Sequence, residues 1–244
     1  MGFAPDVIDP PPPFLMRCES EYEKVRQRTW YSKEPETIAW IDSFADGDTF
    51  WDIGANIGVY SLYCATEHPR SAVLACEPDR KNFAALCRNA NMNLCGLHIT
   101  PLQFAISDTD GDGVFYEAGA TTGESGGQLN AALCNGMAAY PVRVRSIDSL
   151  VAEYGCPTHI KIDIDGQELK VVNGMRDTLK NPMLRSVLME IETKTIEGRA
   201  LMAAFFGAAG FTLDNRFNSM LPHSRTRRAA QWIRVENVIF TRER

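Results

Sequence analysis

The chain has 244 residues, of which 45% are hydrophobic and 23% charged. That is ordinary globular composition, which excludes dominant disorder and the fibrous classes; at about 100–200 residues per domain it accommodates one full α/β domain or two small ones. The 25 Lys and Arg against 31 Asp and Glu leave a net charge of −6, which argues against a nucleic-acid partner, because such binders carry a basic footprint.

Residues 1–14 read as a flexible Pro-rich tail, since the four prolines Pro10 to Pro13 favour an extended polyproline conformation. Residues 15–47 read as an N-terminal helical segment capping the site. Leu15–Phe44 is helical in pattern, and Ile38, Trp40, Ile41 and Phe44 form its apolar stripe. Residues 48–244 then alternate short apolar runs with helical stretches. Strands are expected at Thr49–Ile53, Ala72–Cys76, His98–Ile106, Val142–Val144, His159–Ile164, Ser186–Ile191, Phe211–Asn215 and Asn237–Thr241. Helices are expected at Val59–Thr66, Arg80–Asn91, Ile147–Tyr154, Glu168–Leu179 and Arg199–Ala209. This interleaving indicates an α/β fold, a doubly wound, mostly parallel sheet with helices on both faces. Ala118–Met137 reads as a long loop, and loops of that length are usually functional or disordered. Asn218–Gln231 is a late insertion whose Arg225, Arg227 and Arg228 could engage an anionic acceptor but read by default as a solvated helix face.

The seven cysteines (Cys18, Cys64, Cys76, Cys87, Cys95, Cys134 and Cys156) are odd in number and contain no CxxC pair. Reduced core thiols in a cytoplasmic protein explain this better than a zinc site or a disulfide framework. No signal peptide and no stretch of 18 apolar residues is visible, so no membrane span is expected.

Ligands of open parallel sheets bind beyond the carboxyl ends of the strands, and here those ends are acidic. The first strand ends in Asp52, followed by Gly54, Ala55, Asn56 and Gly58; the second ends in Glu77 and Pro78. The third runs through Ala105 and Ile106 into Ser107 and Asp108, the fourth ends in Asp163 and Asp165, and the fifth in Glu190 and Glu192. An acid at the mouth of the glycine turn would repel a pyrophosphate and attract a cation. S-adenosylmethionine offers a sulfonium, an ammonium and a ribose with two free hydroxyls. Gly54 and Gly58 permit a tight turn, and Glu77 lies 25 residues after Asp52, close to the spacing of the ribose-binding acid in dinucleotide folds. In the fourth strand Ile160, Ile162 and Ile164 face one way, and His159, Lys161, Asp163 and Asp165 the other. Buried charges there need partners: Lys161 with Asp163 or Glu190, in a structural ion-pair network or a functional one.

Phe50–Ser61, Cys76–Asp79, Asn82-Phe83, Ala105–Ser107 and Lys161–Glu168 together resemble, in order, the motifs of the FkbM-family methyltransferases, with Asp165 where that family usually has a glutamate. The resemblance implies a Rossmann-like class I methyltransferase fold of seven strands, the last antiparallel. It implies S-adenosylmethionine as donor, S-adenosylhomocysteine as product, and O-methylation of a hydroxyl on a small natural product or sugar. It places Asp52, Gly54, Ala55, Asn56 and Gly58 around the methionine part, Glu77 at the ribose, and Ala105, Ile106 and Ser107 near the adenine, with Pro78 also among the cofactor-binding residues and Asp163 facing the acceptor.

Methyl transfer needs an aligned hydroxyl and a nearby base, for which Asp163, Glu190 and His159 are candidates. His68 and His98 read as surface residues, and His223 lies in the late insertion. Tyr22, Trp30 and Tyr31, the 118–137 loop and the 218–231 insertion are expected to form the acceptor pocket. No metal site is expected, although Asp163, Glu190 and Glu192 could offer oxygen ligands to Mg²⁺. A homo-oligomeric state stays open. The alternatives are an NAD-dependent oxidoreductase, disfavoured by the absence of GxGxxG and by the acid at the turn, and a non-catalytic nucleoside-binding protein.

Overall fold

The computed structural model describes residues 9–117, 119, 121–130, 137–192, 196–218, 224–228 and 231–242. Its parallel strands are β1 (Phe50–Ile53), β2 (Val73–Cys76), β3 (Ile99–Leu102), β8 (His159–Ile162) and β9 (Ser186–Glu192). They pair in the order β3-β2-β1-β8-β9. β12 (Gln231–Thr241) then pairs antiparallel with β9 and with the short β10 (Thr212–Leu213). The result is a seven-strand path with one reversed strand, as expected of a class I methyltransferase fold.

Strand alternation divides the core. Phe50, Val73, Ala75 and Ile99 pack under α2 (Pro35–Asp42), α3 (Val59–Glu67) and α4 (Arg80–Asn91). Trp51, Ile53, Leu74, Ile160 and Ile162 pack on the other face under α5 (Ile147–Tyr154), α6 (Glu168–Asn173) and α7 (Ile196–Ala208).

Several boundaries differ from expectation, each for a local reason. The N-terminal segment is two helices, α1 (Glu21–Arg28) and α2, because Pro35 starts a new helix at its first turn. Residues 9–14 are docked rather than loose: Asp9 Oδ2 accepts from the backbone N–H groups of Tyr31 and Ser32 at 2.7 and 2.8 Å. Phe14 is buried edge-on against Trp30. The third strand breaks after Leu102, and β4 (Ala105–Ile106) joins a second sheet with β5 (Gly111–Tyr116), β6 (Gln128–Leu129) and β7 (Ala139–Arg145) in the order β4-β7-β5-β6. Part of the expected 118–137 loop is thus a strand. The helix from Glu168 stops at Gly174, where a Cβ would sit 2.3 Å from the Ser107 carbonyl oxygen. After α8 (Asn215–Asn218), the arginine cluster lies not on a helix but on β11 (Ser224–Arg228), paired antiparallel with β12. His223 lies outside the described residues. His68 is buried, its Nε2 2.8 Å from the Ile41 carbonyl oxygen. Among the described residues no helix is long and apolar enough to cross a membrane.

Candidate active site

The carboxyl ends of β1, β2 and β8 and the second sheet enclose a cavity of about 320 Å³, within the range of small-molecule sites. The chain leaves β1 through Gly54 (φ +82°), Asn56 (φ +51°) and Gly58 (φ +89°). Gly54 and Ala55 donate their N–H groups to the Cys76 carbonyl oxygen at 2.9 Å, which ties the turn to the end of β2.

The next link is Glu77. The Asn56 N–H donates to its Oε2 at 2.7 Å and the Asp79 N–H to its Oε1 at 2.8 Å. Asp79 in turn caps α4 by accepting from the Lys81 and Asn82 N–H groups. Burial outweighs these bonds and pushes the Glu77 carboxyl up to about 8. Phe104, Ala105, Ile106, Phe115 and Leu129 form an apolar wall beside it.

At the far end Lys161 is buried on β8, its ammonium 2.9 Å from Asp163 Oδ2 and 3.9 Å from Asp52 Oδ1. Burial pushes the Asp163 carboxyl up, but the Lys161 and Lys33 charges and the Lys161 hydrogen bond outweigh it and hold it at about 2. Glu190, by contrast, is raised well above the usual carboxylate range, by burial first and then by the Asp163 and Glu34 charges. Eight acidic side chains line the cavity against two basic ones, Arg26 and Lys33. Across its mouth lies the 121–127 loop. The Asn56 and Asn82 amides donate to the Glu124 carbonyl oxygen at 3.0 Å each, and the Gly123 N–H donates to Asn82 Oδ1 at 2.7 Å. Ser20 and Arg26 on the α1 side donate to the Thr122 and Gly123 carbonyl oxygens.

A family model described as the methyltransferase FkbM domain matches residues 52–213, well over half of the chain. The chain belongs to the FkbM methyltransferase family. Two curated relatives are similar to this FkbM-family chain. Hexuronic acid methyltransferase AglP of Haloferax volcanii is 26% identical over 153 residues, covering 62% of this chain and 59% of that protein. 31-O-demethyl-FK506 methyltransferase FkbM of Streptomyces tacrolimicus is 30% identical over 173 residues, covering 59% of this chain and 65% of that protein. The chain thus spans less than two thirds of the length of these relatives. Among solved structures, precorrin-6y C5,15-methyltransferase from Geobacter metallireducens aligns with a TM-score of 0.50 at 10% identity, over 94% of this chain and 93% of that one, a likeness of fold.

The expected site residues of this FkbM-family chain fall into two groups. Gly54, Asn56, Glu77, Pro78, Ala105, Ile106, Asp163 and Glu190 line the cavity. Asp52, Ala55, Gly58 and Ser107 do not. Asp52 is fully buried on the α3 face of β1, where Ser61 Oγ donates to its Oδ2 at 2.6 Å; burial pushes its carboxyl up. Gly58 starts α3 against Leu86, and the Ser107 N–H donates to the Arg145 carbonyl oxygen.

His159 is a correction. It opens β8 at the amino end of the sheet, stacked on Phe44 at 3.8 Å. Its Nδ1 lies 2.7 Å from Ser186 Oγ and its Nε2 3.0 Å from Asp48 Oδ2. Four strand residues, about 13 Å at ~3.3 Å each, separate it from Asp163. The aromatic pocket is also corrected: Trp30 packs among Phe14, Tyr31 and Tyr63, and the N-terminal segment lines the cavity with Arg26, Lys33, Glu34 and Glu36 instead. The structure adds Asn82, Glu36 and Gln167 to the cavity lining; Asn82 belongs to the Asn82-Phe83 motif, whereas Glu36 and Gln167 carry no local sequence signal.

The donor set fits a cationic sulfur nucleoside. Each Glu77 oxygen accepts one backbone N–H and retains a second lone pair for a ribose hydroxyl. Gly54 leaves no side chain between the turn and Asp163, and the acids supply the counter-charge. Among the described residues no group of three or more His, Cys, Asp or Glu is arranged to hold a metal ion.

Proposed function

We propose that the protein is an S-adenosylmethionine-dependent O-methyltransferase acting on a hydroxyl of a small-molecule acceptor, a natural product or a sugar. The observation that carries this reading is the acid-lined cavity at the carboxyl ends of the strands, with Gly54 at one wall and the Glu77 carboxylate at another. The Streptomyces relative, a 31-O-demethyl-FK506 methyltransferase, supports the O-methyl class.

When bound, S-adenosylmethionine supplies an electrophilic methyl group on a sulfonium. Glu77 would accept the ribose hydroxyls, with Pro78, Ala105 and Ile106 against the adenine, and Gly54 and Asn56 would hold the methionine part. Asp163, ionised by its pairing with Lys161, stabilises positive charge in the cavity before transfer. That same pairing makes it a weak base. Glu190, whose proton is held more tightly, is better matched to take the proton of the acceptor hydroxyl. Asp52 acts indirectly, through Ser61 and Lys161.

Calorimetry with S-adenosylhomocysteine and with NADH tests the reading. Binding of the first is expected, and binding of NADH alone would reject it. Transfer of a labelled methyl group from S-adenosylmethionine to hydroxylated metabolites, with the methyl of the product located on oxygen by NMR, tests the O-methyl class; a methyl found on nitrogen, sulfur or carbon would reject it.

A further inference from the structure

Two acceptor atoms in the cavity are buried and make no hydrogen bond: Glu36 Oε2 and Gln167 Oε1. They come from different elements, the first turn of α2 and the turn between β8 and α6. Glu36 is 3% exposed, and its other oxygen accepts from Asn237 Nδ2 at 2.8 Å. Asn237 sits opposite Glu190 in the β9–β12 register, and Glu36, Asn237 and Glu190 all line the cavity. Glu36 and Asn237 both lie outside the 52–213 match, so this recognition point is not part of the shared domain.

A buried acceptor left unpaired is costly, and a ligand carrying hydrogen-bond donors relieves it. Of the two basic side chains at the cavity, Lys33 is paired with Glu34 and Arg26 donates its Nε–H to the Gly123 carbonyl oxygen, so among the described residues one unpaired cation stands against eight acidic side chains. A carboxylate on the acceptor would therefore face lone pairs and like charge. We infer that Glu36 and Gln167 select the acceptor by accepting hydrogen bonds from it, so that the acceptor is a neutral or cationic compound with at least two donor groups, and not an anionic one. This rests on the methyltransferase reading of the same cavity.

The test uses a charge series on one ring, with glucosamine, glucose and glucuronate as probes for tritiated-methyl transfer. Glucosamine and glucose are expected to take label and glucuronate at least tenfold less. Glu36→Gln, which puts an N–H donor where the free oxygen stands, is expected to raise KM for the labelled hexoses about tenfold while kcat and S-adenosylhomocysteine affinity stay within twofold. Gln167→Ala is expected to raise KM as well. Preferential labelling of glucuronate, an unchanged KM in both variants, or no labelled hexose from a protein that binds S-adenosylhomocysteine would overturn the inference. Failure of the wild-type protein to bind S-adenosylhomocysteine would instead overturn the reading beneath it.

Discussion

A Cβ placed on Gly54 would lie 1.9 Å from the Asp163 carbonyl oxygen. The ends of β1 and β8 approach so closely there that only hydrogen fits, and the φ of +82° independently disfavours any other residue. Gly54→Ala must therefore push the two strand ends apart at the wall of the cavity. S-adenosylhomocysteine binding is expected to weaken by about a hundredfold or more, equivalent to ~2.7 kcal/mol, and calorimetry checks it. Gly47, also at positive φ but with open space around it, is the control: Gly47→Ala leaves affinity unchanged.

Glu77 links donor binding to pH. Burial holds its carboxyl at about 8, so at neutral pH it carries a proton much of the time. Ribose hydroxyls donating to it favour the ionised form, so binding expels that proton. S-adenosylhomocysteine affinity is expected to rise with pH up to about 8 and then level. Titrations in two buffers of different ionisation enthalpy should reveal proton release below that point. Glu77→Gln abolishes the pH dependence and weakens binding about tenfold, through loss of a charge-assisted acceptor. A pH-independent wild-type affinity would contradict the placement.

The legible parts of the site are those encoded by short-range pattern. The glycines after β1, the acid after β2 and the alternation of β8 carry their meaning in neighbouring residues. The second sheet is less visible because β5 begins Gly-Asp-Gly, leaving only Val114-Phe115-Tyr116 as an apolar run, and β6 is two residues long. Glu36 carries no local signal, because its partner Asn237 lies 201 residues away. Asp52 and His159 are legible by position instead of by residue type: strand period 2 puts Asp52 on the face of Phe50, under α3, and His159 opens its strand, at the end away from the cavity.

Glu190 sets a second pH dependence, of turnover. Its proton is held by burial and by the Asp163 and Glu34 charges, and a base must first lose it. The rate is therefore expected to rise with pH along an alkaline limb. Glu190→Gln, an isostere of the protonated form, should lower kcat by about 10²-fold and remove the limb, with donor affinity little changed. Equal turnover in the variant, measured by initial rates across pH, would leave Glu190 without a catalytic role.

His159 is expected to matter for stability and not for transfer. Burial depresses its pKa below the usual 6.5, so the folded imidazole is neutral. Below about 6.5 the unfolded chain binds a proton that the native state does not, and stability must fall as pH drops through that window. His159→Gln is expected to cost about 1–3 kcal/mol of unfolding free energy, from disrupted bonds to Asp48 and Ser186, and to flatten the acid decline. Denaturant titrations at several pH values check this, and S-adenosylhomocysteine affinity should be unaffected.

Asn82 holds the loop over the cavity with both ends of its amide, accepting from the Gly123 N–H and donating to the Glu124 carbonyl oxygen. Those two bonds hold a loop whose residues Thr121, Glu124, Ser125, Gly126 and Gly127 line the cavity. Asn82→Ala removes two hydrogen bonds worth about 0.5–1.5 kcal/mol each without touching the Glu77 carboxylate. The dissociation rate of S-adenosylhomocysteine is expected to increase about tenfold while the association rate changes little. Stopped-flow displacement measures both. A faster association with unchanged dissociation would mean that the loop obstructs entry instead of retaining the ligand.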